Sequence, residues 1–385
     1  MRYKLGQLIE QYDEINDKGE FQDLESLQGI NSLKYFQECK SNKNDIDLYR
    51  YRICRKGMFA YNRATSRNGE KISIAYREGD DCLISPSYYC FKIVREDLLL
   101  ADYLMIWLKR PVFDKYARFH SWGSATEFFT FEDFCDTEIN LPSIEKQHKI
   151  VHDYKVIVDR VHLLEEQINV LNEFTYSYFE KTINPYYQDN NIICKKYRID
   201  ELCDVKGGKR LPSGEEVVEE KTLHPYIRVR DVGKGKYVSV TDDFVYITDE
   251  IHEEISRYIV NTNDIVISIV GTIGLIGKIH SSLNGANLTE NCMKFINIKN
   301  ISADYLYYTL EYKKRHKEIE LNTVGAVQAK LPMYNINSML IAIPDDGVLH
   351  NLQKLFEATD GIILNYQEEI NILNSTMRSL LKEVA

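Results

Sequence analysis

A catalytic chain must bring acids, bases, nucleophiles or metal ligands together, and few residues here have the type and spacing for it. Gly271-Thr272-Ile273-Gly274-Leu275-Ile276-Gly277-Lys278 has the glycines and lysine of a phosphate-cradling loop. The G-x-x-x-x-G-K spacing requires glycine where Thr272 stands, however, and no Ser or Thr follows Lys278, so a strand turn is expected. Asn184-Pro185-Tyr186-Tyr187 has one proline fewer than the Asn-Pro-Pro-aromatic turn that grips a flipped base. No F-x-G-x-G loop for a methyl donor accompanies it, and it reads as a helix stop. Asp304, Glu311 and Lys313 have the D…E-x-K content of a nuclease without a motif around them. The nine histidines form no H-x-E or H-E-x-x-H pattern and the eight cysteines no C-x-x-C pair, which indicates neither a metal site nor a disulfide framework. The expectation is a chain that binds and positions, with no catalytic residue, no metal and no cofactor of its own.

Residues suited to binding are clustered. Arg50, Arg52, Arg55, Lys56, Arg63, Arg67 and Lys71 meet only Glu70 among acids in their own run, with Tyr49, Tyr51, Tyr61 and Asn62 interleaved. Arginine, tyrosine and asparagine can hold phosphates and reach base edges, so this is the composition of a base-reading surface, to which Tyr88 is added. The second half offers Lys206, Lys209 and Arg210 around Gly207-Gly208, then Arg228, Arg230, Lys234 and Lys236 around Asp231, and Thr272 in the glycine turn. Lys313-Lys314-Arg315-His316-Lys317 is most simply a solvated helix face.

Bulk charge points the other way. The 385 residues include 48 basic and 58 acidic side chains, a formal charge of -10, which excludes a sequence-blind nucleic-acid binder that grips by net charge. At 44% hydrophobic and 28% charged residues the composition is that of a globular protein, not a disordered or fibrous one. The N-terminus lacks the apolar core of a secretory signal, and the longest uncharged run, Ile265 to Gly277, is too short to span a bilayer, so a reduced cytoplasm without membrane contact is expected.

The elements that must position these residues are written twice. A shift of 202 places Glu166-Gln167-Ile168-Asn169-Val170-Leu171-Asn172 on Glu368-Glu369-Ile370-Asn371-Ile372-Leu373-Asn374, Ala101-Asp102-Tyr103-Leu104 on Ala303-Asp304-Tyr305-Leu306, Gly123 on Gly325 and Leu141-Pro142 on Ile343-Pro344. Near the start the shift is 194, with Tyr3-Lys4-Leu5 on Tyr197-Arg198-Ile199. In the first copy Ile150, Tyr154, Ile157, Val161, Leu164, Ile168, Leu171, Thr175 and Tyr178 step by four and three. In the second, Leu352, Phe356, Thr359, Ile363, Tyr366, Ile370, Leu373, Met377 and Leu380 do the same. Heptads with one apolar seam predict two long coiled-coil helices that pair with one another.

The stretches before them read as mixed α/β, with strands at Lys71–Ala75, Cys90–Val94, Tyr226–Arg230, Ile265–Ile269 and Phe295–Ile298 and helices at Asp97–Lys115 and Ser302–Ile319. The expected organisation is a globule over 1–142, a long helix and linker over 143–196, a second globule over 197–345 and a second long helix over 346–385. The fold class is α/β (α+β) globules plus long coiled-coil helices.

In this setting the chain resembles the specificity subunit of type I restriction-modification enzymes over essentially its whole length. The likeness rests on Gly57-Met58-Phe59-Ala60-Tyr61-Asn62-Arg63 and Leu83-Ile84-Ser85-Pro86-Ser87-Tyr88-Tyr89-Cys90-Phe91 in the first half. In the second it rests on Gly208-Lys209-Arg210-Leu211-Pro212, His224-Pro225-Tyr226-Ile227-Arg228-Val229-Arg230-Asp231-Val232 and Gly271-Thr272-Ile273-Gly274. The resemblance implies two target recognition domains in a tandem pseudo-repeat, held apart by an antiparallel helix pair, each reading one half of a split site on double-stranded DNA. It implies two methyltransferase (modification) subunits docked on the helices and restriction subunits beyond them, with S-adenosylmethionine, ATP and Mg used by those partners. A related two-chain recognition subunit and a catalytic methyltransferase or nuclease chain stay open as alternatives.

Overall fold

The computed structural model describes residues 1–39, 46–65, 71–124, 126–189, 194–241, 243–325 and 329–384. The chain divides into two compact units, Met1–Leu164 with Glu368–Ala385, and Glu165–Gln367. Each takes in one globule and a stretch of both long helices, so the boundaries fall inside the helices.

In the first unit four antiparallel strands lie in the order Ile9–Tyr12, Tyr88–Ile93, Phe59–Asn62, Ile74–Tyr76. One face buries an aromatic cluster in which Tyr61 and Phe91 meet Phe134 at 5.4 and 5.2 Å between ring centroids. Offset and edge-on packing of this kind adds to the burial of large apolar area. The helix expected over Asp97–Lys115 is two helices, Ala101–Leu108 and Pro111–Phe119. Pro111 forces Arg110 into an extended conformation (ψ 136°) and then starts the next helix at its first position, which is where proline is tolerated.

The second unit repeats the strand order. Asp204–Gly207, Cys292–Ile296, Ile265–Ser268 and Ile276–Ile279 follow one another antiparallel, and Tyr237–Val238 adds a parallel edge. Each sheet thus runs first strand, last strand, then the two between, although the sequence offset is lost in these middles. The offsets reappear as register at the edges. Tyr3 pairs with Ile139 in the first unit and Tyr197 with Ile341 in the second, 194 and 202 residues on. Trp122 bridges Phe128, and Val324 bridges Lys330, each again shifted by 202. Gly123 opens the first of these hairpins at φ 150°, where a Cβ would lie 2.0 Å from the Thr126 carbonyl oxygen.

Two other expectations shift locally. The strand expected over Tyr226–Arg230 ends at Ile227, because the Asp231 carboxylate accepts from the Arg228 backbone N–H at 2.8 Å and turns the chain. The helix expected over Ser302–Ile319 is Ala303–Arg315, capped by Ser302 and ended by Lys317 at φ 61°.

The long helices are Ile144–Gln188 and Asp346–Glu383. The first does not stop at Asn184-Pro185. It runs through Pro185 because tertiary contacts hold its last turn: the Asn184 side-chain Oδ1 accepts from the Tyr312 hydroxyl at 2.7 Å, and Tyr187 Oη from the Ala342 N–H at 3.1 Å. In the first unit the helices meet where the Arg160 guanidinium donates to both Glu369 oxygens at 2.7 and 3.1 Å, and where Ile150, Val151 and Val384 share a core. Their chain directions are therefore opposed there. In the second unit Phe179 faces Phe356 at 6.2 Å.

The seam residues occupy the protected side. Leu164 and Ile363 are buried, and Ile157, Val161, Ile168, Leu171, Tyr366, Ile370, Leu373 and Met377 are half-buried. Tyr178 is an exception at 46% exposure, and Phe179 and Ile183 are buried instead. A straight helix drifts away from a strict heptad by about 20° per repeat, and here the drift turns Phe179 onto Tyr305 and Tyr308.

Candidate nucleic-acid interface

In the first unit the arginine run is less free than its local sequence suggests, because acids from elsewhere in the chain fold onto it. Arg55 is enclosed by three carboxylates: it donates to Glu14 at 2.6 and 3.0 Å, to Glu20 at 2.8 Å and to Asp81 at 2.9 Å. These hydrogen bonds, Glu20 foremost, raise the guanidinium above its ordinary value, and the Arg55 contact holds Glu14 below the usual carboxylate range. Arg52 pairs with Asp13 and donates to the Pro86 carbonyl at 3.3 Å, with little of its side chain exposed. Arg50 is exposed but pairs with Asp47 at 3.0 Å.

Tyr61 is fully buried and its side chain cannot reach a ligand at the surface. Its place in the middle of a strand turns the ring into the aromatic core, which corrects the surface role expected of it. Tyr88 is half-buried, and the Asn62 side-chain Oδ1 accepts from the Ala64 N–H at 3.1 Å. Arg67 lies outside the described residues.

Lys56, Lys71 and part of Arg63 face solvent. The Arg63 guanidinium stacks over Phe128 at 5.1 Å and near Tyr89 at 5.8 Å, with a buried Nε that has no protein partner. An arginine held between rings is pre-organised, losing little freedom when it binds. Trp122, whose N–H and carbonyl pair with Phe128 at 3.1 and 3.0 Å, is 68% exposed, and Phe119 is 76% exposed. Sequence reasoning missed these exposed rings, of which Trp122 is joined to the Arg63 site through Phe128. The one available signal was tryptophan next to the glycine repeated at 123 and 325.

In the second unit Gly208 lies against the backbone of Leu288 and Thr289, and a Cβ there would meet the Thr289 carbonyl oxygen at 2.0 Å. This close approach, with the Lys209 N–H bonded to the Leu288 carbonyl at 2.8 Å, projects Lys209 and Arg210 outward. Arg210 is exposed and touches Glu290 at 2.7 Å, and Lys209 lies 5.8 Å from the Tyr258 ring. Lys206, Arg230, Lys234 and Thr272 are exposed. Arg228 is tied to Asp231 by two bonds of 2.9 Å and serves the turn.

Lys236 is 3% exposed and joins Asp304 and Asp360, so it is not a surface cation as expected. The Lys313 cluster is a solvated face only in part: Arg315, His316 and Lys317 are exposed, but most of its cations are already partnered. Lys313 is buried on Glu318 at 2.8 Å, Arg315 stacks 3.7 Å over Tyr176 and pairs with Glu173, and His316 meets Glu180 at 2.8 Å.

The groups singled out for catalysis do not converge. Asp304 contacts Lys236 and Lys278, Glu311 contacts Lys314 and Lys313 contacts Glu318. Lys278 lies inside a buried strand, so Gly271 to Lys278 forms a turn and not a phosphate cradle. Among the described residues no group of three or more His, Cys, Asp or Glu could hold a metal ion, and no helix is long and apolar enough to cross a membrane.

Comparison with known proteins agrees with this architecture. Residues 192–371 match the family model for the type I restriction modification DNA specificity domain. The specificity subunit of the type I restriction enzyme MjaIX from Methanocaldococcus jannaschii is 21% identical over 315 residues, covering 76% of this chain and 70% of that relative. The crystal structure of a type I restriction-modification S subunit from M. genitalium has the same fold, with a TM-score of 0.55 and 15% identity over 100% of this chain and 95% of that one.

Proposed function

Since the chain belongs to the type I restriction-modification specificity subunits, we propose that its two units each read one half of a split, asymmetric DNA target. The long helices dock two modification subunits, and restriction subunits join through these. The observation that carries the proposal is a shared scaffold with unlike surfaces. Both units have the same strand order and edge register. One presents Arg63, Lys56, Lys71 and Trp122, the other Lys206, Lys209, Arg210, Arg230, Lys234 and Thr272. Equal scaffolds suit two copies of one partner, and unequal surfaces suit two different half-sites.

Docking on the helices is supported by apolar side chains left exposed on them. Val170, Phe174 and Tyr178 recur at four-residue steps on one face of the first helix in the second unit. The methyl transfer and cleavage chemistry, with S-adenosylmethionine, ATP and Mg, belongs to the partners, and this chain is non-catalytic. With all eight cysteines unpaired, the cytoplasm is its natural compartment.

The test starts by mapping methylated adenines in cells with and without this gene, which yields the target. Arg63→Ala should then weaken binding of the assembled complex at one half-site by roughly 1–3 kcal/mol, and Arg230→Ala at the other. Equal losses on every DNA sequence would refute base reading by these residues.

A further inference from the structure

Lys236 is placed where a DNA contact is impossible and a mechanical role is well supported. Its ammonium lies 2.7 and 2.6 Å from the two Asp360 oxygens and 2.7 Å from Asp304 Oδ1, which Lys278 also reaches at 2.7 Å. The Tyr237 hydroxyl donates to Asp360 Oδ2 at 2.7 Å. All four charged side chains are at most 10% exposed. The rings of Tyr308, Phe356, Tyr237 and Tyr307 surround the Lys236 ammonium at 4.8 to 5.8 Å. Two cations and two anions cancel, and the network joins the edge strand Tyr237–Val238, the strand Ile276–Ile279, the helix Ala303–Arg315 and the long helix Asp346–Glu383.

Burying such a set gains little stability over an apolar filling, but it admits few geometries, since any slide of helix against sheet strands a charge away from water. Lys236 also ends the segment that presents Arg230 and Lys234 to solvent. Asp360 sits on a helix that runs on as one element to Glu383, beyond the second unit.

We propose that Lys236 and Asp360 are positioning residues that fix where the DNA-facing segment of the second unit stands along the long helix. They thereby set the gap between half-sites that the complex accepts. This rests on the split-target role proposed above.

The experiment uses the complex with its modification subunits and duplexes whose gap is native, one base pair shorter or one longer. The variant Lys236→Met with Asp360→Asn keeps shape and neutrality and leaves Lys278 on Asp304. Its preference for the native gap should fall about tenfold, a loss of about 1.4 kcal/mol, with the half-site sequences unchanged. An unchanged preference, or an equal loss at all gaps, overturns the proposal. Should that variant not fold, Tyr237→Phe removes only the hydroxyl bond to Asp360, and a roughly twofold to threefold loss of gap preference is expected, with no change overturning it. A wild-type complex that prefers no split site would instead defeat the split-target role itself.

Discussion

Asp102 and Asp304 hold the same place in the two copies, in the first turn of the helix that follows each sheet, and they are used differently. Asp102 reaches Lys155 on the long helix at 2.6 Å, in a pair whose side chains are 35% and 54% exposed. Asp304 lies under two lysines and reaches the other long helix only through Lys236 and Asp360. At this one position the first unit uses a pair that water can reach, beside the buried Ile150, Val151 and Gln147 of the same helix, whereas the second uses a network that water cannot enter. The lesson is that a duplicated scaffold can keep its strand order while the same carboxylate serves a solvated pair in one copy and a buried network in the other.

Substitution at the equivalent position should expose the inequality most strongly. Asp304→Ala leaves two ammonium groups buried beside one carboxylate and should destabilise the second unit by about 3–5 kcal/mol. Hydrogen exchange, read separately for peptides of the two units, would localise the loss, and a loss shared by both units would break the contrast. Next in size, Arg55→Gln should cost the first unit about 1.5–3 kcal/mol through its lost charged hydrogen bonds while leaving half-site preference unaltered. A changed preference would return Arg55 to the reading surface. Smallest, Asp102→Ala should cost no more than about 1 kcal/mol, and less in high salt.

Acid sharpens the same contrast. Burial pushes the Asp304 carboxyl up, but Lys236 and Lys278 outweigh it and leave it below the ordinary value. Its contribution to stability is therefore present above the unfolded-state value near 3.9 and is lost as pH falls through the lower folded one. Unfolding of the second unit should steepen below about pH 4, and Asp304→Asn should flatten that dependence.

Much of the scaffold was legible in sequence because it depends on local periodicity. The two offsets marked Tyr3 and Tyr197 as equivalent ends of the two copies, though not as strands, and the heptads located both long helices. The site was less legible because electrostatics is set by partners far along the chain. Arg55 looked free until Glu14, Glu20 and Asp81 arrived from 41, 35 and 26 residues away. Lys236 looked exposed until Asp360 arrived from 124 residues away. A run of cations can be counted in sequence, but whether it faces water is decided by the packing of other segments. Arg63 and the exposed Trp122 met only through the hairpin that brings Phe128 between them.

The pairing of Lys195–Arg198 with Leu340–Ile343 has a consequence for force. The first long helix ends at Gln188 just before this clasp and the second starts at Asp346 just after it, so both leave from the end where Lys195 faces Ile343. Tension drawn between the helices would load that end first and open the clasp like a zipper, one rung at a time, instead of shearing all rungs together. The clasp at the root of the helices thus meets such a pull with one rung of backbone hydrogen bonds at a time.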